Sequence, residues 1–530
     1  MSGQGDSRRF DRFLVAGIAV LALVYVGAAV QGWPQRIAGQ IAAAGSHDAP
    51  NHDAPGHTAK PAEAQAADAR LGEPPPLWMV LPFVLLLAAI AVCPLVPSVA
   101  AWWDNNLHRL YVAGGLGLAT LAYYCIVHSE PIAAHWPTAH VVAPALSGPN
   151  VGLTLGVVAN AILAEYVPFI VLLLSLYTIS GGIRIEGDLP ARPATNCAFL
   201  ATGGLLASFI GTTGAAMLLI RPLLETNRER KRVSHTVVFF IFIVCNCGGC
   251  LLPLGDPPLF LGYLLGVDFF WTLRLVWEWL LINSSLIAIY FVWDRYWAYP
   301  RETLPDVARD EGRVHRLRFG GLWPNVPLLV GVILSIALLD PGKAVPGTAW
   351  HPWLYLREMV QLGLVAASLT LGNPHTRRQN HCHYHAILEV AVLFLGIFLC
   401  MQPPLEILAV RGRALGLETP AAFFWATGSL SSVLDNAPTY VVFFQTAKSL
   451  GPGAGQGAVL VAGVQEPLLV GISLGAVCMG AMTYIGNGPN FMVKTIAEKS
   501  GVKMPSFFGY VVYSACVLLP LFAAATWLFL

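Results

Sequence analysis

Asp435 and Asn436 stand in the middle of AAFFWATGSLSSVLDNAPTYVVFF, a run otherwise greasy enough for a membrane interior. A carboxylate at such depth is costly unless something charged or strongly polar visits it. Its chemistry there is narrow: it holds a proton or a hard cation, and not both at once. Ser432, Asn436 and Thr439 surround it in sequence with the neutral oxygens that hard cations accept. A second acid, Asp256, lies in CNCGGCLLPLGDPPLF just ahead of Pro257 and Pro258. Proline is favoured at the first helical position, so Asp256 either caps a half-helix or contacts the ion. Asp435 has the same two readings. Asn246 belongs to the Asp256 run, Thr212 and Thr213 to FIGTTGAAMLL, and Asn487 and Asn490 to TYIGNGPNF. These ten residues are the expected ion or substrate ligands. Glu165 and Glu389, near the starts of two other apolar segments, could pair with Arg or Lys, cap helices or carry protons.

The elements that position them are membrane helices. Of 530 residues, 56% are hydrophobic and 12% charged, with a mean hydropathy of +0.62; soluble domains carry roughly 25% charged residues. The chain reads as an all-α polytopic membrane protein with about 11 spans, at 13–31, 77–98, 110–127, 159–181, 233–265, 269–294, 321–340, 355–372, 386–402, 460–497 and 506–529. Segments 195–226 and 420–448 are two re-entrant hairpins. In the second, Ala421 to Leu434 is too short for a core of about 30 Å, and Pro438 breaks the helix.

With both hairpins returning to their own side, one face collects 20 Lys and Arg and the other six. The bias makes the N-terminus cytoplasmic. Residues 1–31 read as a signal-anchor helix. Residues 32–76 form an external His-, Ala- and Pro-rich loop expected to be disordered, with His47, His52 and His57 in register as a metal-scavenging tract or a plain linker.

The halves 77–294 and 321–530, joined by a linker at 295–320, match each other. An offset of 224 lays Glu165 on Glu389, Ser208 on Ser432 and Gly211-Thr-Thr-Gly on Asp435-Asn-Ala-Pro. An offset of 231 lays Gly255-Asp-Pro-Pro on Gly486-Asn-Gly-Pro. The hairpins enter from opposite sides, so the repeats are inverted, an architecture of secondary transporters. Gly248, Gly249, Pro253, Gly255, Pro257 and Pro258, and Gly486, Gly488 and Pro489, break two spans. Their irregular backbone must line a polar cavity rather than lipid. Carbonyls there suit a cation, and half-helix N-termini suit anions.

GTTGAAMLLIRP, GGCLLPLGDPPLFLGYL, SSVLDNAPTYVVFF and GNGPNFMVK resemble the signatures of the ion transporter superfamily. The likeness, over about 77–529, is greatest to bacterial proteins labelled sodium:proton antiporter (the NhaD type) or putative citrate transporter. It implies a homodimer with a scaffold and a moving transport domain, in a bacterial cell membrane. The tips here read Gly211-Thr-Thr and Asp435-Asn-Ala instead of the Ser-Asn-Thr of sodium-coupled dicarboxylate carriers.

No soluble-enzyme signature and no phosphate-binding loop appears. Asp256 and Asp435 as an intramembrane aspartyl protease dyad is the rival from another class, but such a dyad needs no hairpins. Cys245, Cys247 and Cys250 read as small residues where helices pack, and His381-Cys-His-Tyr-His385 as a polar loop. The expectation is a Na⁺/H⁺ antiporter working by alternating access. A citrate or other carboxylate carrier coupled to cations or protons is the alternative. The only partners expected are the lipid bilayer, a second copy and a small ion or organic anion, with no nucleic acid, resident metal or cofactor.

Overall fold

The computed structural model describes residues 3–47, 73–303, 310, 315–380, 384–452 and 459–530. These form a helical membrane protein with three two-stranded ribbons. Among the described residues five helices are long and apolar enough to cross a bilayer: Phe10–Val30, Val151–Ser180, Pro193–Ile210, Trp271–Arg301 and Phe507–Phe529. The number rises to seven if each of two bent pairs is one span. Several of the eleven expected spans fall short in length, since Leu322–Leu338 and Leu356–Leu371 have 17 and 16 residues. The 77–98 segment divides into Leu81–Val92 and Pro97–Trp103, parted where Pro94 and Pro97 cannot donate helical hydrogen bonds.

The first hairpin has a descending arm, Pro193–Ile210, and a returning arm, Thr212–Thr226. They meet at Gly211, whose φ of +79° is open to glycine at little cost. A Cβ on Gly203 would lie 3.0 Å from Leu219. The two positions sit equally far from Gly211 on either side, so the arms fold back on each other. Reversal, not shortness, defines this hairpin, because its 18-residue descending arm has spanning length. The second hairpin joins Pro420–Ser431 to Asn436–Ser449, and Phe423 packs edge-on to Phe443 with ring centres 6.4 Å apart.

Each hairpin is followed by a broken helix. The first runs Ser234–Ile243, a tight turn at Cys247–Cys250, then Pro257–Leu264. The second runs Glu466–Met479, Gly480–Met482, then Gly488–Lys499. Every residue from His235 to Ile243 is buried, which explains a segment apolar all round. The two breaks have one backbone shape. Asp256 (φ −144°, ψ 144°) and Asn487 (φ −150°, ψ 139°) precede their half-helices identically. Gly255 lies against the Gly249 carbonyl as Gly486 lies against that of Gly480. All three pairs keep the 231-residue offset.

Trp33–His47 is a helix, against the expectation of disorder from residue 32. Its Ala-rich stretch has high helix propensity, Ala38 is buried, and Pro34 accepts a backbone bond from Leu354 at 3.4 Å. His52 and His57 lie outside the described residues.

The 295–320 linker is tied back, since His315–Gly320 pairs antiparallel with Arg184–Asp188. Nearby, buried Asp294 accepts from Arg230 at 2.5 and 3.0 Å, from Tyr290 at 3.1 Å, and lies 3.0 Å from His235 Nε2. Asp294→Ala leaves the buried guanidinium with Glu302, 3.7 Å from its Nε, as carboxylate partner and should lower stability by about 3–5 kcal/mol. Thermal unfolding in detergent measures this, and a loss under about 1 kcal/mol would mean that water replaces the carboxylate.

Candidate functional site

Asp256 has no exposed surface. Its Oδ1 accepts from Thr212 Oγ1 at 2.8 Å and from Asn487 Nδ2 at 3.1 Å, and its Oδ2 accepts from Asn436 Nδ2. Thr212 opens the returning arm of the first hairpin and Asn436 that of the second. Asn487 stands at the N-cap position of the half-helix Gly488–Lys499 and Asp256 at that of Pro257–Leu264, and neither side chain bonds the N–H groups of its own helix. Four helix N-termini therefore converge on one carboxylate, each presenting the positive end of its dipole. All three side-chain donors are neutral. Among the described residues no Lys, Arg or His forms an ion pair with Asp256.

The opposite, carbonyl ends of the partner helices are occupied by side chains. Ser208 donates to Gly248 at 2.6 Å and Ser431 to Ala476 at 2.7 Å. Asn246 donates to Ile241 at 2.8 Å, and Asn487 to Cys245 at 3.0 Å. Asn490 donates to Gly480 and Thr483, both at 2.9 Å, and Thr483 to Ser432 at 2.5 Å. Carbonyls satisfied in this way are less available to a cation, so the site turns its donors inward and favours negative charge. A further bond, Asn246 Nδ2 to Asn490 Oδ1 at 2.8 Å, joins the halves behind it.

The structure thus brings together Thr212, Asp256, Asn436 and Asn487, backed by Asn246 and Asn490. Asp435 is half-buried and caps the second returning arm, its Oδ1 accepting from Ala437 N–H at 3.1 Å. Thr439 donates to the Asp435 carbonyl at 2.9 Å, and Ser432 to the Ser429 carbonyl at 2.7 Å. These two hydroxyls, expected as ligands, serve their own turns, because a hydroxyl near a helix end finds a backbone acceptor one turn back. Ser431, next to the expected Ser432, donates to a carbonyl of the neighbouring broken helix, as Ser208 does in the first half. Ser431 and Thr483 escaped sequence reasoning, since nothing local marks which hydroxyl faces a distant carbonyl.

Thr213 lines a cavity of about 100 Å³ with Thr212, Gly255 and Asp256; its far wall includes Phe169, Leu172 and Ile387. That wall comes from Val151–Ser180 and His385–Cys400, so the site abuts a different helical layer there.

Glu165 and Glu389 fall in unequal settings despite matching sequence positions. Glu165 is buried in a π-helical stretch, 3.5 Å from both His135 Nε2 and Gln402 Nε2. Glu389 pairs at 2.9 Å with Arg109, a buried guanidinium. Neither carboxylate hydrogen-bonds to the residues around Asp256. Glu389→Gln should therefore lower stability by about 1–3 kcal/mol, and Glu165→Gln by less, which thermal unfolding of the two purified variants compares. Equal losses would mean that Asp104, 3.6 Å from Arg109, already carries that charge.

Cys250 Sγ lies 3.9 Å from Cys478 Sγ across the two breaks. No cluster of three His, Cys, Asp or Glu suited to a metal occurs among the described residues; His381, Cys382 and His383 lie outside them. A family model described as putative citrate transport matches residues 120–530, which takes in both hairpins and both breaks. No curated protein matches the chain.

Proposed function

The chain belongs to the citrate-transport family that this match defines, and from that premise we propose that it carries a citrate-class polycarboxylate across the bilayer, coupled to H⁺ or Na⁺ through Asp256. The convergence of four helix N-termini on Asp256 carries the reading. Each end is worth roughly half an elementary charge, so together they supply about two. Asp256 offsets one, leaving a field that attracts a second carboxylate. A proton or Na⁺ on Asp256 removes the repulsion between the two acids and frees Thr212, Asn436 and Asn487 to donate to substrate. Coupling ion and anion then bind cooperatively, which makes the pair a symport.

Exchange of Na⁺ for H⁺ at Asp256 is the second reading, and one observation favours it. The cavity of about 100 Å³ beside Asp256 is below the 300 Å³ or so of ordinary ligand pockets. Under the first reading this is a closed state that opens by movement of the hairpin against Phe169 and Ile387. Inverted halves, alternating access, a homodimer, a bacterial cell membrane and a cytoplasmic N-terminus complete the proposal. Reconstituted vesicles distinguish the two readings. Labelled citrate should enter when a pH or Na⁺ gradient is imposed and should exchange in counterflow. Na⁺-driven proton movement without any citrate uptake would transfer the assignment to antiport.

A further inference from the structure

A second cavity, of about 1170 Å³, lies away from Asp256 along the returning arm of the first hairpin. The returning arm walls it from Met217 to Glu225, the residues that follow close it as far as Ser234, and Ile496–Lys503, Ile183–Gly187 and Gln379–Asn380 complete it. Six cationic side chains, Arg184, Arg221, Arg228, Lys231, Lys499 and Lys503, line it against two carboxylates, Glu186 and Glu225. A seventh, Arg230, is taken up by buried Asp294. In a chain only 12% charged this is a concentration of one sign in one hollow.

Arg221 and Lys231 have partners of their own, Arg221 donating to the Gln379 carbonyl at 3.3 Å, and the excess rests on the others, chiefly Lys499 and Lys503. Glu186 holds Arg184, and Glu225 lies 3.2 Å from Arg228 in a pair exposed by more than half on both sides, which solvent weakens. Lys499 and Lys503 are exposed and have no carboxylate partner among the described residues. A concave, low-dielectric wall focuses such a field and concentrates counter-ions of high valence far more than monovalent ones. The hollow is also joined to Asp256 by a rod. Thr212 begins the returning arm at the carboxylate, and the arm reaches the basin at Met217, about 8 Å along, and its first cation at Arg221, about 14 Å along.

We propose that this basin is a docking vestibule for multivalent carboxylates, a second anion site that gathers substrate on one face before it reaches Asp256. Its ligand class rests on the polycarboxylate reading; its existence as an anion site does not. The basin takes its specificity from valence and not from shape, so citrate should occupy it and acetate should not.

The test is calorimetric titration of the full-length protein with citrate at low and high salt, in wild type and in Asp256→Asn. Both should bind citrate, and added salt should weaken it. The double variant Lys499→Gln/Lys503→Gln changes only exposed side chains, so its fold is preserved. It should bind citrate about tenfold more weakly at low salt and lose most of the salt dependence. Acetate should give no heat in any of them. Unchanged citrate affinity in the double variant, or no citrate binding by Asp256→Asn, overturns the proposal and leaves the lysines as ordinary positive loop charge. Counterflow in phosphatidylcholine vesicles separates the two ideas. Citrate exchange with unaltered half-saturation in the double variant keeps the transporter and discards the vestibule. Salt-sensitive binding without exchange keeps the vestibule and discards the transporter.

Discussion

Asp256→Asn should abolish coupled transport outright, with citrate counterflow falling to that of protein-free vesicles while the protein remains folded. The reasoning is an accounting of donors. Asn keeps one oxygen for Thr212 and Asn487, and a turned-over Asn436 amide offers its own oxygen to the new NH₂ group. Every hydrogen bond survives, and the cost of burying an unpaired charge disappears. What is lost is the carboxylate proposed to exchange a proton for a cation. Asp435→Asn should do far less, because an Asn cap serves a helix nearly as well as Asp. Unimpaired transport in Asp256→Asn together with loss in Asp435→Asn would return the central role to Asp435. Placing the acid on the other half, by Asn436→Asp in the Asp256→Asn background, should recover part of the exchange.

The second large effect is on assembly. A Cβ at Gly255 would sit on the Gly249 carbonyl oxygen and close to its Cα, at 3.0 Å, and neither atom is a movable side-chain end. Gly255→Ala should therefore cost more than about 3 kcal/mol and greatly reduce the monodisperse fraction on size exclusion. Gly488 is the control, since nothing lies within 4 Å of its Cβ position and it begins a helix. Gly488→Ala should be neutral or stabilising by up to about 1 kcal/mol. A Gly255→Ala protein as stable as wild type would mean that the break relaxes freely.

Both breaks and both hairpins were legible because their signals are local. Gly and Pro at 248–258 and 486–489 forbid regular helix wherever they occur. The choice between two acids was not local. Asp256 takes its donors from residues 44, 180 and 231 positions away, and no periodicity reports which side chains converge over such distances. Asp435 drew attention because its flanks are greasier, yet that greasiness belongs to a helix arm and not to a ligand shell. The disorder expected from residue 32 failed differently. Averaging composition across 32–76 diluted the 15-residue helix Trp33–His47 with the Pro- and His-rich residues that follow. Glu165 and Glu389 read as equals because their sequence positions match, whereas the partners that differentiate them, His135 and Arg109, both come from the first half, so one pair lies within that half and the other runs across to the second.

The carboxylate shared by both halves also sets a timetable. Asn487 follows Asp256 by 231 residues, about 12 to 46 s of synthesis at 5–20 residues per second. Until Asn436 follows, 180 residues after Asp256, a nascent chain has inserted its costliest residue with only Thr212 to hold it. The first half is therefore a waiting intermediate rather than a finished domain. Two of the four helix N-termini that meet on its carboxylate belong to sequence that has yet to leave the ribosome.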